Sequence, residues 1–242
     1  MTAPRMQLIG NRLALAGAIV YLMEWLVIPF APGLPTNALA QSQSTAIHAL
    51  TERPTATGLA AGLFAITMIG RLAFITGLRG ALRANPRVIC FADLALAAMT
   101  VGVGIEIIEY GLTAGSAWIA QAGSGPEAAV GIDVAAAALN PLIFVTTGAA
   151  VLSVSWAMRQ SGMFRSWLAW LGLGGGSLMM AGDVGTSATL APDGGAPVFG
   201  VVLTLGAFSF WIWMVTAAVT LYRNRPRTDA ASSEPVAVMA AP

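Results

Sequence analysis

Five carboxylates are embedded in apolar stretches of the chain: Glu24, Glu106, Glu109, Asp133 and Asp183. If those stretches lie in lipid, a central carboxylate costs roughly 2.5–3.5 kcal/mol to insert and is a functional-site candidate by default. Carboxyl groups can donate or accept protons, hold cations, or accept hydrogen bonds from hydroxyls and amides. Glu106 and Glu109 are one helical turn apart and would interact strongly in a low-dielectric setting. Arg71 is the one cation within an apolar run, and its expected partner is Glu106 or Asp183.

The spacing sorts these groups onto helix faces. Gly102, Glu106, Glu109 and Thr113 recur at three- and four-residue intervals and form one stripe. Asp133, Asn140 and Thr147 repeat every seven residues on a second face, and Pro141 is expected to kink that helix beside Asn140. Thr186 and Ser187 follow Asp183, and a last polar face carries Ser209, Thr216 and Thr220 with Trp213 adjacent. Asp93 points away from the Glu106 stripe, towards a group of arginines.

Other chemistries lack their residues. All twelve Lys-or-Arg positions are Arg, so no lysine is present to form a Schiff base with retinal or pyridoxal. His48 is the one histidine, which excludes a bis-histidine haem and a three-histidine zinc site. Cys90 is the one cysteine, so no intramolecular disulfide or CxxC centre exists, and its apolar surroundings predict a small core residue. No cofactor and no metal are expected. Gly123-Ser124-Gly125 is reminiscent of a nucleophile turn, but His48 belongs to a different loop. Glu106-x-x-Glu109 matches the paired glutamates of intramembrane prenyl-peptidases, which also need intramembrane histidines. The glycine run at Gly172, Gly174, Gly175 and Gly176 has no following Lys, so it is no phosphate cradle. It reads as a helix-packing surface, as do Gly58-x-x-x-Gly62 and Gly111-x-x-x-Gly115.

The elements that must position these groups follow from composition. Of 242 residues, 57% are hydrophobic and 10% charged, with mean hydropathy +0.75, against a usual charged share of about 25%. So few charges cannot cover a soluble core, and the balance excludes a soluble enzyme, a disordered chain and a nucleic-acid binder. The remaining solvent is lipid. Apolar windows long enough to span it lie at about 11–30, 57–79, 88–113, 130–158, 166–190 and 197–222. The predicted fold is therefore an all-α, six-span bundle over residues 1–222, with 223–242 as a disordered cytoplasmic tail.

Ten arginines fall on one side of these spans: Arg5, Arg12, Arg79, Arg83, Arg87, Arg159, Arg165, Arg223, Arg225 and Arg227. Arg53 alone falls on the other, which predicts cytoplasmic N- and C-termini. In that orientation all five acids lie within about 5–11 Å of the outer boundary. A short helix over 42–52 is expected to lie across the outer mouth. Two readings of the first span stand. Arg5, Arg12 and the Ala38-Leu39-Ala40 sequence resemble a cleavable leader, whereas the length of the apolar stretch and Glu24 within it favour a retained span.

The Arg-rich approach to the first span and the segment from Arg159-Gln160-Ser161-Gly162 to Trp170-Leu171-Gly172 resemble an uncharacterised six-span family of bacterial membrane proteins, a domain of unknown function. That resemblance implies a multi-pass bacterial membrane protein and no particular activity. The residues themselves point first to an inner-membrane protein that binds or transports a small lipophilic or cationic ligand. Its acidic pocket would face outward and be lined by Glu24, Arg71, Glu106, Glu109, Asp133, Asn140 and Asp183. Two alternatives stay open: a terpene-cyclase-like enzyme using Glu106 and Asp183 as acids, and an accessory subunit with no ligand. The expected partners are the lipid bilayer, the small ligand and a second copy of the chain in a homodimer, with no nucleic acid.

Overall fold

A computed structural model describes residues 3–27, 48, 51–52, 54–83, 85–123, 125–188 and 197–224, with the backbone alone at 3–6, 126, 186–188 and 197. Among them every regular element is a helix. In chain order these are α1 (Ala3–Leu22), α2 (Glu24–Val27), α3 (Pro54–Leu82), α4 (Ile89–Gln121), α5 (Pro126–Ala137), α6 (Asn140–Ser161), α7 (Ser166–Ala188) and α8 (Pro197–Arg223). The Ala38-Leu39-Ala40 sequence, Arg53 and most of 42–52 lie outside the described residues, as does the tail from 225.

Four segments are long and apolar enough to cross a membrane: α3, α4, Glu127–Ser161 and Val198–Arg223. Large apolar side chains also cover their outward faces, among them Leu59, Ile66, Ile69, Ile108, Val201 and Ile212, each more than half exposed. Helices that are apolar outside as well as inside belong in lipid. The chain is an all-helical membrane protein. α1 and α7 fall outside that set through their composition: Gln7, Asn11 and Arg12 in α1, and six glycines with Asp183 in α7.

Local sequence sets the helix ends. α6 begins beside Pro141 because proline lacks an N–H for the turn before it, and its ring clashes with the preceding carbonyls. The helical hydrogen-bond ladder is interrupted at Ala138-Leu139, between α5 and α6, where the sequence predicts a kink, while both residues keep right-handed helical dihedrals. Gly162 ends α6 at φ 67°, a left-handed backbone that glycine adopts without a Cβ clash. α4 continues to Gln121, beyond the predicted end at 113.

Consecutive long helices run antiparallel, as Gly10 against Gly77 and Gly17 against Gly70 show for α1 and α3, and they pack in chain order as a ring. α1 lies on α3, α3 on α4, α4 on α6, α6 on α7 and α7 on α8; α8 returns to α1, and α5 lies against α4. Asn11 Nδ2 closes the circuit by donating to the Leu221 carbonyl at 2.8 Å. The α1–α3 seam depends on heptad-spaced glycines, Gly10 and Gly17 facing Gly70 and Gly77. A Cβ on Gly70 would sit 2.6 Å from the Gly17 carbonyl oxygen, so the backbones touch through absent side chains.

The ring has two unlike ends. Among the described residues, every arginine except Arg71 belongs to one end or to the loop there, where Arg79 pairs with Asp93 and Arg159 lies 4.4 Å from the Trp170 ring centroid. Next to that end the interior is filled by Phe74, Leu78, Leu82, Met99, Met158, Leu168, Trp213 and Met214. Two sequence expectations are corrected here. Cys90 is exposed at the start of α4 and not in the core, because it faces away from the ring beside buried Val88 and Ala92. Gly111 and Gly115 have no neighbour that a Cβ would meet, whereas Gly172, Gly175 and Gly176 do sit at close helix contacts.

Candidate functional site

At the opposite end the ring encloses a partly open cavity of about 280 Å³. All six helices of the ring contribute to its wall, together with α2. Tyr21 comes from α1, Glu24 from α2, Phe64 and Arg71 from α3, and Glu106, Glu109 and Tyr110 from α4. α6 supplies Asn140, Ile143 and Phe144, α7 supplies Met179, and α8 supplies Ala207, Phe210 and Trp211. The antiparallel register explains the meeting: the acid-bearing halves of α2, α4, α5 and α7 all point to the same end.

Arg71 is buried and ion-paired with Glu106. Its Nη1 donates to Thr147 Oγ1 at 3.4 Å, and its guanidinium lies 5.1 Å from the Tyr21 ring centroid. Tyr110 donates its hydroxyl to Glu106 Oε1 at 3.2 Å, so Glu106 is committed on both sides. Asn140 Nδ2 donates to Glu109 Oε1 at 3.1 Å and fixes that carboxylate across the α4–α6 seam. Close packing supports the seam, since a Cβ on Gly102 would collide with Thr146.

Glu24 is 9% exposed and interacts with the Tyr21 hydroxyl and with the Arg71 charge, but its Oε2 has neither a hydrogen-bond partner nor an ion pair. A buried carboxylate oxygen left in this way carries an unmet demand for a donor or a cation. The helix is interrupted at Met23, which starts a new turn at Glu24 and directs that residue into the ring.

Aromatic rings cover much of the remaining wall. Phe64 and Tyr110 stack with centroids 4.8 Å apart and planes 12° from parallel, and Tyr21 meets Phe210 at 5.8 Å. Trp211 closes the α8 side; beyond the cavity it packs against Trp25 at 4.4 Å and Phe208 at 5.3 Å. Offset and edge-to-face ring pairs of this kind contribute about 0.5–1.5 kcal/mol each beyond their buried area, so the wall is held in place by its own contacts.

The sequence matches no protein-family model, no curated protein and no solved structure. The geometry therefore stands alone as the guide to function.

Of the seven residues expected to line a pocket, five meet there: Glu24, Arg71, Glu106, Glu109 and Asn140. Asp133 and Asp183 are buried but are not among the lining residues. Asp133 lies on α5, within electrostatic reach of Glu109. Asp183 lies one turn beyond Met179, the α7 residue that reaches the cavity. Ser209, Thr216 and Thr220 are half-buried and also lie outside the lining, and the side chains of Thr186 and Ser187 are not described. The aromatic wall was missed because aromatics in apolar helices read as ordinary core. Their spacing carried a signal: Tyr110 is four residues from Glu106, Phe144 four from Asn140 and Phe64 seven from Arg71, each pair on one helix face, and Tyr21 is three residues before Glu24.

Proposed function

We propose that the chain is a six-span bacterial inner-membrane protein with cytoplasmic termini, which binds a small ligand in a pocket facing the outer side. Movement of that ligand across the membrane is the use the pocket would serve. The observation that carries the reading is the cavity itself, in which charged side chains from three helices converge at the centre of a ring otherwise built to exclude them. Ligand pockets are usually about 300–1,000 Å³, apolar with a few placed polar groups, and this cavity has that character near the lower size limit. The arginine asymmetry supports the orientation, and the packing of α1 and α7 in one ring with the four apolar segments supports reading them as spans too.

The cyclase-like alternative has less support, because Glu106 is held by Arg71 and Tyr110 and Asp183 does not line the cavity. The binding reading is tested on the purified full chain with small lipophilic compounds carrying positive, neutral and negative heads. Compounds that raise the melting temperature should lose that effect in Ala207→Trp, which fills the cavity from α8. Stabilisation by none of them, or stabilisation that survives Ala207→Trp, would overturn it.

A further inference from the structure

Resting on the pocket reading, we infer that the ligand is an organic ammonium ion, an amine cation with apolar substituents, whose charged head is held by Glu24. Three carboxylates line the cavity against one guanidinium, and Arg71 already satisfies Glu106. Glu109 is fixed by the Asn140 amide. Glu24 lines the cavity nine-tenths buried, and although the Tyr21 hydroxyl and the Arg71 charge reach it, its Oε2 has neither a hydrogen-bond partner nor an ion pair. A cation pairs with that oxygen in its ionised form; an anion would be repelled by it, and beside a neutral molecule the buried acid would hold a proton instead.

The wall narrows the class of cation. Among the described residues no three acidic, histidine or cysteine side chains converge as a metal site, and about 280 Å³ is far more space than a bare ion fills. Tyr21 already carries a guanidinium on its face, with Arg71 at 5.1 Å from the ring. Phe64, Tyr110, Phe210 and Trp211 offer further aromatic surface around the same space. Ring quadrupoles attract ammonium groups by about 0.5–1 kcal/mol when exposed and about 2 kcal/mol or more when desolvated. The same rings bury apolar substituents, so a carboxylate within aromatic walls selects a cation that also has an apolar body.

Three probes share one skeleton and differ only in head group: 4-phenylbutylamine, 4-phenylbutan-1-ol and 4-phenylbutyrate. The full chain in detergent should bind the amine at least about tenfold more tightly than the alcohol, with the butyrate weakest. Glu24→Gln should bring amine and alcohol to within about threefold, while Glu24→Asp, which keeps the charge, should retain the preference. Equal binding of amine and alcohol by the native chain would overturn this inference and leave the pocket standing. No binding of any probe would overturn both. A preference unchanged by Glu24→Gln in a chain that melts normally would overturn the assignment to Glu24.

Discussion

The two ends of the helix ring are built from the same helices in the same antiparallel register, yet their interiors have opposite character. Near the arginine end Phe74, Met99, Met158, Leu168 and Trp213 fill the space between backbones, and charged groups stay at the rim. Near the acidic end the rings of Tyr21, Phe64, Tyr110 and Phe210 stand back against the helices, leaving about 280 Å³ with Glu24, Glu106, Glu109 and Arg71 inside it. Packing density stabilises the first half. The second half keeps its shape through ring contacts and one buried ion pair, an arrangement that forgoes the packing of the first. The solid half positions the helices; the hollow half uses that positioning.

Mutations on either side should separate these roles. The largest effect is expected for Trp213→Ala in the solid half, where a fully buried side chain leaves a dry void, at about 3–5 kcal/mol by thermal or denaturant unfolding. Phe144→Ala in the hollow half removes a half-buried ring beside existing space and should cost about 1–2 kcal/mol. Equal losses at the two positions would erase the contrast.

Arg71→Met should destabilise by about 3 kcal/mol, because Glu106 is then buried without its partner. Arg71→Met combined with Glu106→Leu should recover most of the loss. Failure of the double variant to recover would mean that the pair organises the cavity and does more than neutralise it. Asn11→Leu removes the hydrogen bond that closes α1 on α8 and should cost about 1 kcal/mol, without changing which ligands bind. Smallest is Arg159→Gln, which loses the contact with Trp170 at the rim and should cost about 0.5 kcal/mol.

The helical class was legible in composition, and most helix ends in their punctuation. Pro141 marked the place where the helical hydrogen-bond ladder is interrupted, because its missing N–H removes one rung. The glycine seam of α1 and α3 was less visible than the run at Gly172–Gly176, although its heptad spacing places backbone directly on backbone. Glu24, Arg71, Glu106, Glu109 and Asn140 could be found because charge in apolar sequence has few innocent explanations. Asp133 and Asp183 satisfied the same criterion without reaching the cavity. Depth along a helix is readable from spacing, but direction around it depends on where the ring places each helix. The aromatic wall was hidden for the opposite reason, because its residues are equally at home in any apolar core.

Accessibility of the cavity to charged reagents tests the account most directly. Cys90→Ser removes the one native cysteine, and Ala207→Cys then places a thiol on the cavity wall. In intact cells this thiol should react with a trimethylammonium methanethiosulfonate about tenfold or more faster than with a sulfonate one, each rate normalised to a free thiol, because the carboxylates concentrate cations there. Adding Glu24→Gln should reduce the ratio. Equal normalised rates, or a thiol that neither reagent reaches from outside, would contradict an outward-facing acidic pocket.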